Sequence, residues 1–345
     1  MTGPLLAEHT TLRLGGPTRD FVEVATEREL IEAVARADDA GSEALLLAGG
    51  SNLVVSDDEF PGTVVHVRTT GLTHQQDARG GATVTVAAGE SWDGLVARAV
   101  SQGWVGVEAL SGIPGSVGAS PIQNVGAYGQ EVSETIAWVR CWDRVHKLVR
   151  TLASAECGFG YRTSRFKEDP DRFLVLTVTF AFALGDLGAP LRYGELARTL
   201  GVEAGHRAPL RQVRDAVLTL RAAKGMVLDA ADHDTWSAGS FFTNPFLSRT
   251  QSQRLPEDAP RWEQPDGSTK ASAAWLIERT GFAKGYGDGR VSLSTKHTLA
   301  LTNRGDATTK DLLALASQVQ SGVFEKFGIW LVNEPVLVGC SLPRP

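Results

Sequence analysis

Two glycine-rich segments hold the residues whose type and spacing point most directly to a ligand. The first runs Ala48, Gly49, Gly50, Ser51, Asn52, Leu53. The second, residues 111–130, carries glycines 112, 115, 118, 126 and 129 and no charged side chain. Glycine loses more backbone freedom on folding than any other residue, so such a density needs a reason. Sharp turns are one reason, and a ligand that must come close to the backbone is another. Successive N–H groups in such turns form concave nests that hold phosphate oxygens through amide dipoles, without a cation. Neither segment is a P-loop, since GxxxxGK[ST] is absent, and neither shows GxGxxG at a strand-to-helix turn. Two uncharged glycine loops in one chain favour a bound dinucleotide. Tight turns without a ligand stay open as the alternative for either loop alone.

The bulk of the chain narrows the class. At 345 residues it exceeds one ordinary core, so two or three subdomains are expected. Hydrophobic content of 42% with 21% charged residues is that of a folded globular protein. A formal charge of -6 argues against a nucleic-acid surface, so an anionic ligand must meet local cations or backbone amides. The opening MTGPLLAEHT has no basic and then apolar run, so no signal peptide is expected. No apolar run approaches the ~20 residues that span a bilayer. Cys141, Cys157 and Cys340 lack CxxC spacing and read as free thiols of a reducing, cytoplasmic compartment. Asp232, His233 and Asp234 read as a solvated acidic loop, and no metal is expected.

These segments must be held by regular elements. Thr26 and Glu29 form a capping box before Leu30, Ile31, Val34 and Ala37, a helix that Gly41 closes. Residues 44–48 read as a buried strand running into the first glycine segment, with further strands at 63–68 and from 83 to Gly89. A short helix follows from Ser91 to Val100, with Gly103 beyond its end. Residues 135–143 and 147–151 look like a hairpin, and 173–184 a long strand. Pro209 opens a helix with Leu210, Val213, Val217 and Leu220 on one face. Residues 255–268 read as a surface loop, 309–327 as a helix and 329–339 as a strand. Strands that cluster in runs give an α+β class with antiparallel sheets.

The stretches LAGGSNLVVSD, SGIPGSVGASPIQNVGAYGQEV, CGFGYRTSRFK, GSFFTNP and KFGIWLVNEPV occur in that order. Together they resemble the UDP-N-acetylenolpyruvoylglucosamine reductases, flavoenzymes of bacterial cell-wall precursor synthesis. The resemblance implies a two-part FAD-binding region like that of vanillyl-alcohol oxidase, at 1–69 and 70–219. It adds a substrate domain at 220–332 and a C-terminal strand, 333–345, that returns to the flavin region. The wider flavin family often carries a covalently linked histidine where Ser51 stands, so non-covalent FAD is implied. Its diphosphate would lie against Gly49, Gly50, Ser51, Asn52 and Leu53, and against Gly112, Ile113, Pro114, Gly115, Gly118, Asn124, Gly126, Ala127 and Tyr128. NADPH and the enolpyruvyl sugar nucleotide would use one flavin face in turn.

Hydride addition to C3 of an enolpyruvyl group builds negative charge on its carboxylate and C2, which calls for a fixed cation and a proton donor. By resemblance Arg162 is that cation, Ser240 donates the proton to C2, and Glu334 assists near the carboxylate. Tyr193 and Lys224 would meet the substrate diphosphate, and Asn244 the uridine side. Each has a structural alternative: a surface arginine, a serine that starts a strand, an edge-strand charge. Thr243 departs from the lysine many members carry there, and residues 225–238 look longer than in compact members, which weakens the Lys224 match. Lys270, Lys284, Arg290 and Lys296 read as a mildly basic, solvated face. A single copy of the chain is expected, with no nucleic acid and no membrane insertion. The rival functions are an oxidase of the same flavin superfamily and a flavin-binding module without catalysis.

Overall fold

Thr26 accepts a hydrogen bond from the Glu29 amide, and the Glu29 carboxylate reaches back to the Thr26 amide, so the helix Glu27–Asp39 starts where the sequence predicts. The computed structural model containing it describes residues 3–77 and 80–343. The chain divides into two units. One is Arg19–Gly49 with Pro61–Ala223; the other is Met1–Thr18 with Gly50–Phe60 and Lys224–Pro345.

Two larger sheets dominate the first unit. In the smaller, Ala44–Leu47 lies parallel to Phe60–Val67, which also neighbours Thr18–Val24. The larger runs Leu148–Ala153, Ile136–Asp143, Phe173–Leu184, Gly81–Ala87, Leu72–Asp77, and its pairings are antiparallel. Its first two strands form the expected hairpin. Ala82, Val84 and Val86 alternate onto the buried face, where they share a core with Trp92, Val96 and Phe180. The helix Trp92–Gln102 is capped by the Ser91 side chain and closed by Gly103, left-handed at φ 72°. A satellite core joins Val213 and Val217 of the helix Leu210–Ala223 to Leu191, Leu196 and Ala109, just before the long glycine segment.

The second unit is built on the helix Thr309–Phe327, which opens on a Thr308/Asp311 capping box and ends at Gly328. Leu312, Ala316, Val319 and Val323 lie in one core with Leu276, Val291 and Leu301. Two expectations change here. Residues 255–268 are not all loop, because Arg261–Glu263 pairs with Thr269–Ala271 in a small antiparallel sheet. Only Val336–Val338 of 329–339 is strand, parallel to Leu53–Val55. Pro335 has no N–H to extend a ladder, and the residues before it bridge to the segment around Phe242 instead.

The acidic interval at 229–234 is solvated only in its first half: Asp229, Ala230 and Ala231 are exposed, Asp232 and His233 half-buried. Asp234 is buried and accepts hydrogen bonds from the Thr295 amide and hydroxyl and from Arg304, while Asp232 pairs with Lys296 at 2.5 Å. Lys296 and Arg290, which pairs with Asp311, therefore belong to ion pairs rather than to a bare basic face. Cys141 and Cys157 are buried free thiols. Antiparallel pairing predominates and helices and strands are mixed, as the α+β reading expects. Among the described residues no helix is long and apolar enough to cross a membrane.

Candidate active site

In the first unit the glycine loop is held from three sides. Its start is fixed by the helix Trp92–Gln102, where the Gly112 amide donates to Asp93 Oδ1 at 2.6 Å and the Trp92 amide to the Gly115 carbonyl at 3.1 Å. Its middle folds back so that Gly118 donates to the Ala88 carbonyl at 2.8 Å. Its end is a two-residue hairpin in which Gly126 and Ala127 pair with Glu131 and Gln130. The central residues Tyr128 and Gly129 both have positive φ, 50° and 83°, the backbone that matches strand twist in tight hairpins.

Asn124 locks the middle to the end. It is 1% exposed, sits at φ 48°, donates to Glu131 Oε2 and to the Gly160 carbonyl, and accepts from the Ser133 amide. Gln130 does the same underneath, donating to Glu108 Oε1 at 2.8 Å and accepting from the Ala109 amide at 2.7 Å. Glu108 is itself buried, and its carboxylate is satisfied by the Gly106 and Ala189 amides as well.

The segment that carries Arg162 is bound to this loop. Ser164 Oγ donates to the Ile122 carbonyl at 2.5 Å, and Arg162 Nη2 donates to the Gly126 carbonyl at 2.6 Å. Arg162 has φ 54°, a left-handed backbone that a long side chain rarely adopts. A Cβ on Gly126 would crowd this contact, 2.9 Å from Glu131 Cγ and 3.0 Å from both Arg162 Nη1 and the Gln130 carbonyl oxygen. Tyr193, 42% exposed, meets the Tyr128 ring edge-on at 5.4 Å, and Arg192 beside it pairs with Glu134 at 2.6 Å. Arg162, Tyr128 and Tyr193 are thus gathered at one end of the glycine loop.

The helix Leu210–Ala223 brings two arginines toward the loop's surroundings. Arg214 and Arg221 lie two turns apart, and the field at Arg221 includes Tyr128 and Asp93. Burial pushes the Arg221 pKa down, while Tyr128 and Asp93 pull it back up. Sequence reading missed Asp93, Arg214 and Arg221. The seven-residue spacing on an expected helix was the available signal for the two arginines, because such residues share a face.

In the second unit Ser240 and Glu334 lie on segments whose backbones run side by side. Phe242 bridges Asn333, the Glu334 amide donates to the Phe241 carbonyl at 2.8 Å, and the Thr243 amide donates to the Val332 carbonyl at 3.0 Å. Asn52, in the second half of the first glycine segment, accepts from the Val336 amide at 2.9 Å. Gly50 is at φ 55°, and a Cβ there would strike the His9 carbonyl oxygen at 1.9 Å. Asn244 Oδ1 accepts from the Ala273 amide at the start of the helix Ala273–Arg279, so one end of that side chain is already engaged. Lys224 precedes Gly225, which packs against the Asp234 backbone at φ 66°.

The glycine loop suits the diphosphate of a flavin dinucleotide. Gly49 and Gly115 approach so closely that a Cβ on Gly49 would lie 2.7 Å from Gly115 Cα, so the two glycine segments meet backbone on backbone. The profile of an FAD binding domain matches residues 19–152, and that of the UDP-N-acetylenolpyruvoylglucosamine reductase C-terminal domain matches residues 230–338. A UDP-N-acetylenolpyruvoylglucosamine reductase of Cutibacterium acnes is 55% identical over 340 residues, covering 98% of this chain and 90% of its own length. This chain belongs to that family. The reductase of Streptomyces avermitilis is also 55% identical, over 98% of this chain and 94% of its own. The crystal structure of the reductase from Thermus caldophilus aligns with a TM-score of 0.66 at 25% identity, covering 97% of each chain. As a member of this family the chain is an FAD-dependent oxidoreductase with the flavin-binding fold that the resemblance implied.

Proposed function

We propose that this protein reduces UDP-N-acetylglucosamine enolpyruvate to UDP-N-acetylmuramate, with NADPH as electron source. The residues named below would hold FAD, whose chemistry when bound would be hydride transfer between NADPH and C3 of the enolpyruvyl group. The observation that carries the reading is Arg162, which a glycine-loop carbonyl holds in a strained backbone at the end of an uncharged loop. A family membership that spans the chain supports the same activity.

The chain's own residues divide the work. Gly49, Gly50, Ser51, Asn52 and Leu53 receive the flavin with Ile113, Pro114, Gly115, Gly118, Gly126, Ala127 and Tyr128. Gly112 contributes conformation rather than a donor, because its amide is committed to Asp93. Asn124 acts by locking the loop. Arg221 adds the desolvated positive charge that the loop does not carry. Arg162 stabilises the carboxylate and the charge that develops at C2, where a preorganised cation has its largest effect. Ser240 delivers the proton to C2, and Glu334, on the neighbouring segment, supports the relay that makes a hydroxyl acidic enough. Tyr193 and Lys224 meet the substrate diphosphate, and Asn244 uses its remaining amide hydrogens toward the uridine. A cytoplasmic location, where three free thiols stay reduced, and a single working copy of the chain complete the proposal.

Ser240→Ala tests chemistry against binding. The flavin absorbance should still bleach on mixing with NADPH, while its recovery on adding the sugar nucleotide slows by about 10²- to 10⁴-fold, the range of a general-acid contribution. Equal losses in both half-reactions would mean that the serine is structural. Wild-type protein that binds no FAD and shows no turnover after FAD addition would end the proposal.

A further inference from the structure

The first turn of the helix Trp92–Gln102 grips the start of the glycine loop at four points. Ser91 bridges Ser116, the Trp92 amide bonds the Gly115 carbonyl, Trp92 Nε1 donates to the Leu110 carbonyl at 3.1 Å, and Asp93 Oδ1 accepts from the Gly112 amide at 2.6 Å. The Asp93 carboxylate is also clasped by Arg214, with Nη1 to Oδ1 at 2.7 Å and Nη2 to Oδ2 at 2.8 Å. Burial by itself would raise the Asp93 pKa. Hydrogen bonds from Arg214 and Gly112, with the charges of Arg214 and Arg221, outweigh that and hold it below the usual range.

We propose that Asp93, clasped by Arg214, is a positioning residue that sets the direction in which the turn at 112–115 presents its backbone to the flavin diphosphate. The inference rests on the flavin role proposed above. A trans peptide is planar, so aiming the Gly112 N–H at Asp93 turns the Ser111 carbonyl the opposite way. Gly112 has φ 70°, which glycine adopts without strain, so the chain can turn sharply straight after that peptide. A bare carboxylate this near a phosphate site would repel the ligand. The two-pronged pair neutralises it and removes the freedom of the side chain, an arrangement that a planar guanidinium makes and an amide cannot.

The test uses the full-length protein with Asp93→Asn, Arg214→Gln and the double variant. FAD affinity is measured by titration, the bound flavin by visible circular dichroism, and the melting temperature without FAD. Each single variant should bind FAD about ten- to hundredfold more weakly, the loss of one hydrogen bond to a charged group. The flavin dichroism should change while the FAD-free melting temperature moves by no more than a few degrees. The double variant should be no weaker than the worse single one, because the two residues act as one device. Unchanged or tighter FAD binding by Asp93→Asn overturns the proposal, since it would make the carboxylate a bystander or a mere repulsive charge. Failure of both single variants to fold also overturns it, by assigning the pair to stability alone. Wild-type protein without FAD affinity would sink the functional reading instead.

Discussion

Arg162 is the residue in which backbone and chemistry are most closely joined. A left-handed φ of 54° on a residue with a long side chain is held by the Gly126 carbonyl on its guanidinium and by Lys167 Nζ on its own carbonyl, at 2.6 and 3.0 Å. One donor of the planar fork is therefore used for orientation. Lysine would keep the charge but has no second nitrogen in a fixed plane, so it can hold the Gly126 carbonyl or meet the substrate carboxylate, not both. Arg162→Lys should slow flavin reoxidation by the sugar nucleotide about 10²-fold or more, the scale of one lost charge-stabilising donor. The step with NADPH should stay within a few-fold of wild type. Stopped-flow absorbance resolves the two steps, and an unaltered second step would remove Arg162 from the chemistry.

At the scale of elements, the glycine loop works because its backbone lies directly on other backbone. Gly118 shows this most sharply: an added Cβ would lie 2.5 Å from Ala88 Cβ, 2.9 Å from its Cα and 3.0 Å from its carbonyl oxygen. None of these is the far end of a flexible side chain. Gly118→Ala should therefore destabilise by about 1–3 kcal/mol, as overpacking does, and weaken FAD retention with it. Gly185→Ala is the control, since its Cβ would meet nothing closer than Val105 Cγ2 at 3.7 Å. Equal melting temperatures for the two variants would show that the loop adapts and that its glycines are not steric necessities. Elements of this kind were legible where the cause is local. The capping box at Thr26 and the alternation of Val84 and Val86 gave a helix and a strand close to their true bounds. The resemblance implied a returning C-terminal strand, but its pairing of Val336–Val338 with Leu53–Val55 was not legible in the pattern, because three residues carry too little of it. The site divided the same way. Glycine density announced the loop, whereas the Asp93–Arg214 clasp joins residues 121 positions apart and leaves no local trace.

For the whole molecule, buried carboxylates tie stability to pH. Asp143, whose side chain is fully buried, accepts hydrogen bonds from the Val145 and His146 amides and lies within 3.3 Å of nitrogens of His146, Arg150 and Arg172. Burial alone would raise its pKa, but hydrogen bonds from His146 and Arg172 and the Arg172 charge pull it far below the ordinary carboxylate range. Asp234 in the other unit is lowered too, by Thr295 and Arg304 against its own burial. A carboxyl whose folded pKa is depressed binds fewer protons folded than unfolded. Its contribution is complete above the unfolded value of about 3.9 and drains away as the pH falls toward the folded one. Asp143→Asn keeps the shape and one acceptor but loses the charge. At pH 7 it should be less stable by about 1–3 kcal/mol, the penalty of underserved buried donors. Below about pH 4 the wild type surrenders this advantage and the variant has none to lose, so the two urea-unfolding curves should draw together. A gap between them that stays constant from pH 7 to 3 would mean that the ion cluster is energetically silent and that Asp143 acts through shape alone.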